Sequence, residues 1–135
     1  MNLNIEFRKG LLFIRLAGIL SKDTSKILSN CIHYFMEEGG VKYFVINLKE
    51  LDYIDEEGLN LLKRKNKDII LHNGNLIICA SSNMYVEKIV KEELSEVSIT
   101  KDELKAFELI KVWKEIENGR NSRIWKISIF RGSKI

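Results

Sequence analysis

The sequence predicts a single α/β domain built on a mixed β-sheet of four to five strands, with helices packed against it and a helix and strand appended at the C-terminus. Three observations predict it. The chain opens with a two-residue alternation of apolar and polar side chains. Short β-branched runs at 43–48 and 76–80 are apolar on both faces, as parallel strands covered by helices are. Each of these runs is followed by a segment whose apolar residues recur at helical spacing.

Leu3, Ile5 and Phe7 alternate with Asn4, Glu6 and Arg8, and Lys9-Gly10 makes a turn into the more apolar run from Leu11 to Ala17, so the chain begins as a β-hairpin. Ser21-Lys22-Asp23-Thr24 offers capping side chains for a first helix whose inner face carries Ile27, Leu28, Cys31, Ile32 and Phe35. Gly39-Gly40 ends that helix, and Tyr43 to Leu48 forms the next strand. A second helix has Leu59, Leu62, Ile69 and Ile70 inward, with Lys63, Arg64, Lys65 and Lys67 on a solvated face. After Asn73-Gly74 come a strand at Leu76 to Ala80 and a shorter helix with Val86, Ile89, Val90 and Leu94.

Val97 to Ile99 supplies a further short strand. Thr100 and Glu103 have the spacing of a capping box at the start of a helix over 101–118. Ala106, Leu109, Ile110, Trp113 and Ile116 give that helix a broad apolar face, and Gly119 closes it. Ile124 to Phe130 then has strand propensity, with Trp125, Ile127 and Ile129 on one side. Such an extension has two uses: covering the domain's own sheet edge, or pairing with a second copy as a homodimer.

With 135 residues, 45% of them hydrophobic, the chain has material for one core. The 22 Lys and Arg against 19 Asp and Glu leave a charge of +3, too small and too mixed in sign to point to nucleic acid. No apolar run approaches the roughly 20 residues of a membrane span, and the first residues lack a signal-peptide core. These features predict a cytoplasmic protein without direct membrane insertion. Cys31 and Cys79 form no metal-binding or redox motif, which predicts reduced thiols among apolar neighbours.

The stretch Val45-Ile46-Asn47-Leu48-Lys49-Glu50-Leu51-Asp52-Tyr53-Ile54-Asp55-Glu56-Glu57-Gly58-Leu59 resembles, without gaps, the signature of the STAS family (sulfate transporter and anti-sigma factor antagonist), in which a buried strand leads to Asp-Ser-Ser-Gly-Leu. The likeness extends to Leu16 to Leu20, to Asn73-Gly74 and to Ile77 to Ala80. It covers residues 1–110 as a STAS-like (SpoIIAA-type) domain, leaving 111–135 as a C-terminal extension packed on the same domain. The resemblance is nearest to bacterial anti-sigma factor antagonists, which bind a serine kinase through this corner and are released when the serine before the glycine is phosphorylated.

Here the two serine positions are Glu56 and Glu57, so the phospho-acceptor hydroxyl is absent and Glu57 is at best a partial mimic of phosphoserine. Asn47 stands where an acidic residue is common, and Asn60 where a small one is. The resemblance therefore implies a non-catalytic module that binds a protein partner through Asp55, Glu56, Glu57, Gly58, Leu59, Asn60 and Leu62. That partner would be an anti-sigma factor kinase-like protein or, alternatively, a subunit of a membrane lipid transporter.

From the residues themselves, Asp55 is an N-cap and the acidic run suits the positive end of a helix. The resemblance also implies Thr24 as a secondary phosphorylation site, although its default role, like that of Ser82, is capping, and Ser81-Ser82 lies where α/β folds place anions. No glycine-rich loop suggests a nucleotide, the acidic run lacks the spacing of a Ca²⁺ loop, and His33 and His72 belong to no triad or zinc pattern. No cofactor or metal is expected. No general base and nucleophile stand at useful spacing, so an enzyme is not expected either.

Overall fold

The computed structural model describes residues 1–118. Strands β1 (Asn2–Arg8) and β2 (Leu11–Leu20) form the opening hairpin, followed by α1 (Lys22–Glu37), β3 (Tyr43–Ile54), α2 (Glu56–Leu71), β4 (Asn75–Cys79), α3 (Met84–Glu93), β5 (Ser98–Thr100) and α4 (Glu103–Asn118). The sheet order follows the chain, β1-β2-β3-β4-β5, with the first pair antiparallel and the other three parallel. The strand expected at Ile124 to Phe130 and the closing Gly119 lie outside the described residues.

Alternation along the strands sorts the core into two layers. Leu12, Ile14, Phe44, Ile46, Leu76 and Ile78 face α1, α2 and α3, which supply Leu28, Ile32, Leu59, Leu62, Ile69, Val86 and Val90. The opposite phase, Leu11, Phe13, Tyr43, Val45, Ile77 and Cys79, meets α4 at the fully buried Ala106 and Ile110, with Phe107, Leu109 and Trp113 partly buried around them. The apolar face of α4 thus covers β2, β3 and β4 on that side of the sheet. The helix runs unbroken across position 110.

Two strands are longer than their patterns suggest, β2 reaching Leu20 and β3 reaching Ile54. Their pairing slips twice, between Arg15 and Ala17 and between Gly18 and Ile19, each slip adding a residue to β3. Gly18, at φ +100°, sits at the second irregularity. Because of the slips, Leu48, Leu51 and Ile54 all remain buried although they stand three residues apart.

Some inward and outward assignments also change. Ile27 and Ile70 are about half exposed, whereas Ser25 and Met36 in α1 and Leu61, Lys65 and Asn66 in α2 are buried. Lys65 falls on the inner stripe of α2, where its aliphatic stem is covered and its ammonium lies 3.8 Å from an Asp68 carboxylate oxygen.

The expected capping box at Thr100 and Glu103 does not form. Asp102 caps α4 instead, its Oδ1 accepting from the Lys105 N–H at 2.9 Å, and the Thr100 hydroxyl donates to the Asp102 carbonyl. Glu103 is drawn away by stronger partners, since Arg15 donates to both its oxygens at 2.7 and 2.8 Å and Asn47 Nδ2 donates at 2.7 Å. Arg15 also donates to Asn4 and Glu6. One guanidinium thereby ties β1, β2 and α4 together, with Asn47 joining from β3. A carboxylate at position 47 would sit against that of Glu103, so an amide is the side chain this network accepts.

Both thiols are free, Cys79 buried and Cys31 half-buried. Burial pushes Cys79 up to about 11, leaving little thiolate at neutral pH.

The Arg15 hydrogen bonds hold the Glu103 carboxyl below its ordinary range. A carboxyl depressed in the folded state stabilises the fold above its unfolded pKa, and that contribution fades as pH falls through the folded value. Glu103→Gln should therefore cost about 1–3 kcal/mol at pH 7. It should also give a flatter loss of stability between pH 5 and 3 than the parent, read by urea denaturation at each pH. Equal slopes for the two proteins would mean that the pair does not contribute.

Candidate functional site

β3 outruns its neighbour on one side. β4 stops at Cys79, opposite Asn47, while β3 continues for seven residues to Ile54. On its other edge that continuation stays paired with β2 as far as Leu20. On the β4 side the loop after β4 takes over: the Ser82 N–H donates to the Lys49 carbonyl at 3.3 Å, the Ser81 hydroxyl to Leu51 O at 3.3 Å, and the Asn83 amide to Asp52 O at 3.2 Å. The strand end is thus held on both sides, and the start of α2 is presented at a fixed place.

Asp55 makes the turn from β3 into α2. Its N–H donates to Leu20 O at 3.1 Å, Oδ1 accepts from the Gly58 N–H at 2.9 Å, and Oδ2 accepts from the Lys22 N–H at 3.1 Å. One carboxylate therefore serves the first turns of two helices, α2 and α1. Thr24 completes the α1 end, its hydroxyl accepting from the Ser21 N–H at 2.9 Å and donating to Ile19 O at 2.8 Å. Both residues are capping groups, as expected.

Gly58 faces inward against the end of β2. A Cβ there would lie 2.7 Å from the Leu20 carbonyl oxygen and 2.9 Å from Ile54 Cγ1. The glycine is required by this close approach, since its φ is ordinary. Leu59 is nearly buried, and Leu62 is completely buried. These three of the seven expected docking residues thus support the corner from beneath, because α2 must anchor its first turn in the core.

The other four reach the surface: Glu56 and Glu57 are exposed, and Asp55 and Asn60 are half-buried. Neither glutamate forms an ion pair with a described residue. Ser82 keeps an exposed side chain and contributes through its backbone.

Next to the acidic tip stands a feature that the sequence reading missed. Tyr53, from the end of β3, stacks on Tyr85, from the start of α3, with centroids 6.0 Å apart and planes 4° from parallel; the two residues are 44% and 52% exposed. Period-2 alternation, continued past Leu48, could have indicated that Tyr53 points outward, but the slips in β3 disguise it. His33 and His72 are exposed; His72 lies 3.1 Å from Glu37 at the far end of the helical layer. No group of three His, Cys, Asp or Glu side chains among the described residues is placed to hold a metal ion, and no described helix is long and apolar enough to cross a membrane.

The family model of the STAS domain matches residues 2–107. This chain belongs to the STAS domain family. An anti-sigma F factor antagonist from Paenibacillus polymyxa is 30% identical over 81 residues, which are 58% of this chain and 69% of the relative. The fold is that of the anti-sigma factor antagonist SpoIIAA in its unphosphorylated form, with a TM-score of 0.67 and 18% identity over 82% of this chain and 98% of that one. An anti-sigma factor antagonist from Mycobacterium paratuberculosis also has a TM-score of 0.67, with 13% identity over 82% of this chain and 93% of its own. The chain is therefore an anti-sigma factor antagonist-like STAS domain, and the sheet of five strands with four helices among its described residues is the SpoIIAA-like fold.

In this STAS domain, the close approach at Gly58 gives a direct test of how the corner is held. Gly58→Ala would gain about 1 kcal/mol of helix propensity. The added methyl group would press on a backbone carbonyl that cannot swing away, an overpacking cost of about 1–3 kcal/mol. The clash should win, lowering the thermal midpoint; a variant as stable as the parent would show that β2 and α2 have room to separate.

Proposed function

We propose that this STAS domain is a non-catalytic regulatory module that docks the tip of α2 onto a protein partner, an anti-sigma factor of the kinase type, and that Glu57 makes the contact independent of phosphorylation. The observation that carries this reading is the state of the two glutamates. They are exposed at a rigidly held helix tip, beside a capping aspartate whose own carboxylate is already engaged twice. Carboxylates left without a cation at such a place suit a basic surface on another protein, where complementary charge speeds encounter and fixes register.

The curated relative is named as an antagonist of an anti-sigma factor, which supports a partner of that class. In the resemblance to the STAS signature, Glu56 and Glu57 stand where serines are usual. A carboxylate there carries one negative charge, against roughly 1.5 to 2 on phosphoserine. Since glutamate cannot accept a phosphoryl group, neither kinase nor phosphatase can switch this corner.

Glu57→Lys should weaken the complex with the anti-sigma factor at least tenfold by calorimetry, while lowering the thermal midpoint by no more than a few degrees, because the side chain forms no ion pair with a described residue and only its favourable place at the helix N-terminus is lost. Glu57→Ser should create a position that the kinase can phosphorylate, seen as a mass increase with ATP. An unchanged affinity after the Lys substitution would remove the α2 tip from the interface. Co-purification with a transporter ATPase in place of an anti-sigma factor would assign the domain to the other partner class.

A further inference from the structure

The α2 tip is one end of a groove that runs between α2 and α3. Ile54, Leu59 and Ile89 lie along it, Tyr53 and Tyr85 stand at its side, and Asp55 and Glu56 are at the end nearest the tip. At the other end Lys63 reaches across from α2 to within 3.6 Å of Glu93 on α3. That pairing neutralises the one lysine and one of the three carboxylates of the lining, and Asp55 is committed to its caps, so the open negative charge is that of Glu56.

The tyrosine pair is held in position at both roots. Asn83 ties the α3 start to the Asp52 carbonyl and caps the helix by accepting from the Tyr85 and Val86 N–H groups at 2.9 and 3.1 Å. A pre-positioned aromatic pair beside an unneutralised carboxylate is a recognition feature rather than a packing one, because half of each tyrosine remains in water.

We propose that this groove receives a segment of the partner protein that carries an arginine beside an aliphatic residue. The inference rests on the reading that the α2 tip is a docking point and adds the chemistry of what docks there. The guanidinium lies flat on an exposed tyrosine face while its N–H fork meets Glu56, and the aliphatic side chain covers Ile89. Arginine fits better than lysine, since a planar, weakly hydrated guanidinium can lie flat on a ring and fork onto a carboxylate at once, whereas an ammonium over a ring is a strongly hydrated point charge without that two-pronged geometry. The negative lining excludes phosphate-rich partners.

The test is an amide NMR titration of the full chain at 150 mM salt with acetyl-Leu-Arg-Leu-amide and its Lys and Glu counterparts. Shifts should appear at Tyr53, Glu56, Tyr85 and Ile89, with the arginine peptide binding at least threefold tighter than the lysine peptide and the glutamate peptide not binding. Tyr85→Leu, which keeps apolar bulk but removes the ring, should abolish the preference for arginine. Equal binding of the Arg and Lys peptides, or no shifts in the groove, would overturn the proposal. So would concentration-dependent broadening of the same amides in the free chain, which would put a second copy in the groove.

With the anti-sigma factor as ligand, the two readings separate. Tyr85→Leu should lower affinity at least fivefold, in addition to the effect of Glu57→Lys. A loss with Glu57→Lys alone would refute the groove and keep the tip. A loss with Tyr85→Leu alone would refute the tip and keep the groove.

Discussion

The candidate site depends on a difference in strand length. β4 ends seven residues before β3 does, so the last part of β3 would have one bare edge were it not for the loop of Ser81, Ser82 and Asn83. An unpaired buried edge leaves backbone groups without partners, which costs more than any single side-chain contact returns. The loop satisfies those groups one at a time, and the same residues then start α3. The strand end, the α2 tip and the α3 start are in this way fixed relative to one another by one backbone and two side-chain hydrogen bonds to β3 carbonyls, and the groove between them inherits that rigidity.

Asp55 adds the second constraint. Its carboxylate accepts from one amide in each of two helices while its own N–H reaches Leu20, so β2, α1 and α2 converge on one residue. Gly58 allows the approach by having no side chain to obstruct it. On the other face of the sheet, Arg15 plays a comparable part for α4. There the network includes Asn47, whose amide matches the Glu103 carboxylate that an acidic residue would repel.

Much of this architecture was legible in the sequence, because helices and short buried strands leave distinct periodicities. The hairpin, the four helices and the parallel strands were all readable, and so was the Asp55 cap. What the sequence concealed were the long-range choices. The slips in β3 place Leu48, Leu51 and Ile54 at intervals of three, which resembles a turn more than a strand, and so hid the outward direction of Tyr53. Glu103 had the spacing of a capping box, but Arg15, 88 residues away, offered a charged fork, and no local pattern reports such a competitor. Lys65 looked solvent-facing by type, yet its position on the stripe of α2 decided the matter.

The acidic tip shows how stability and docking can be told apart at one place. A carboxylate in the first turn of a helix gains roughly 0.3–1 kcal/mol from the dipole, and Asp55 already stands at that end, accepting from the Gly58 amide. Two further glutamates add little more and repel each other, so folding alone gives weak reason for both. Their charge is also permanent, whereas a phosphoserine can be made and removed. In the proposed reading the chain therefore has no covalent off-state at this corner, and control over complex formation must come from the amount of either protein or from a change on the partner's side.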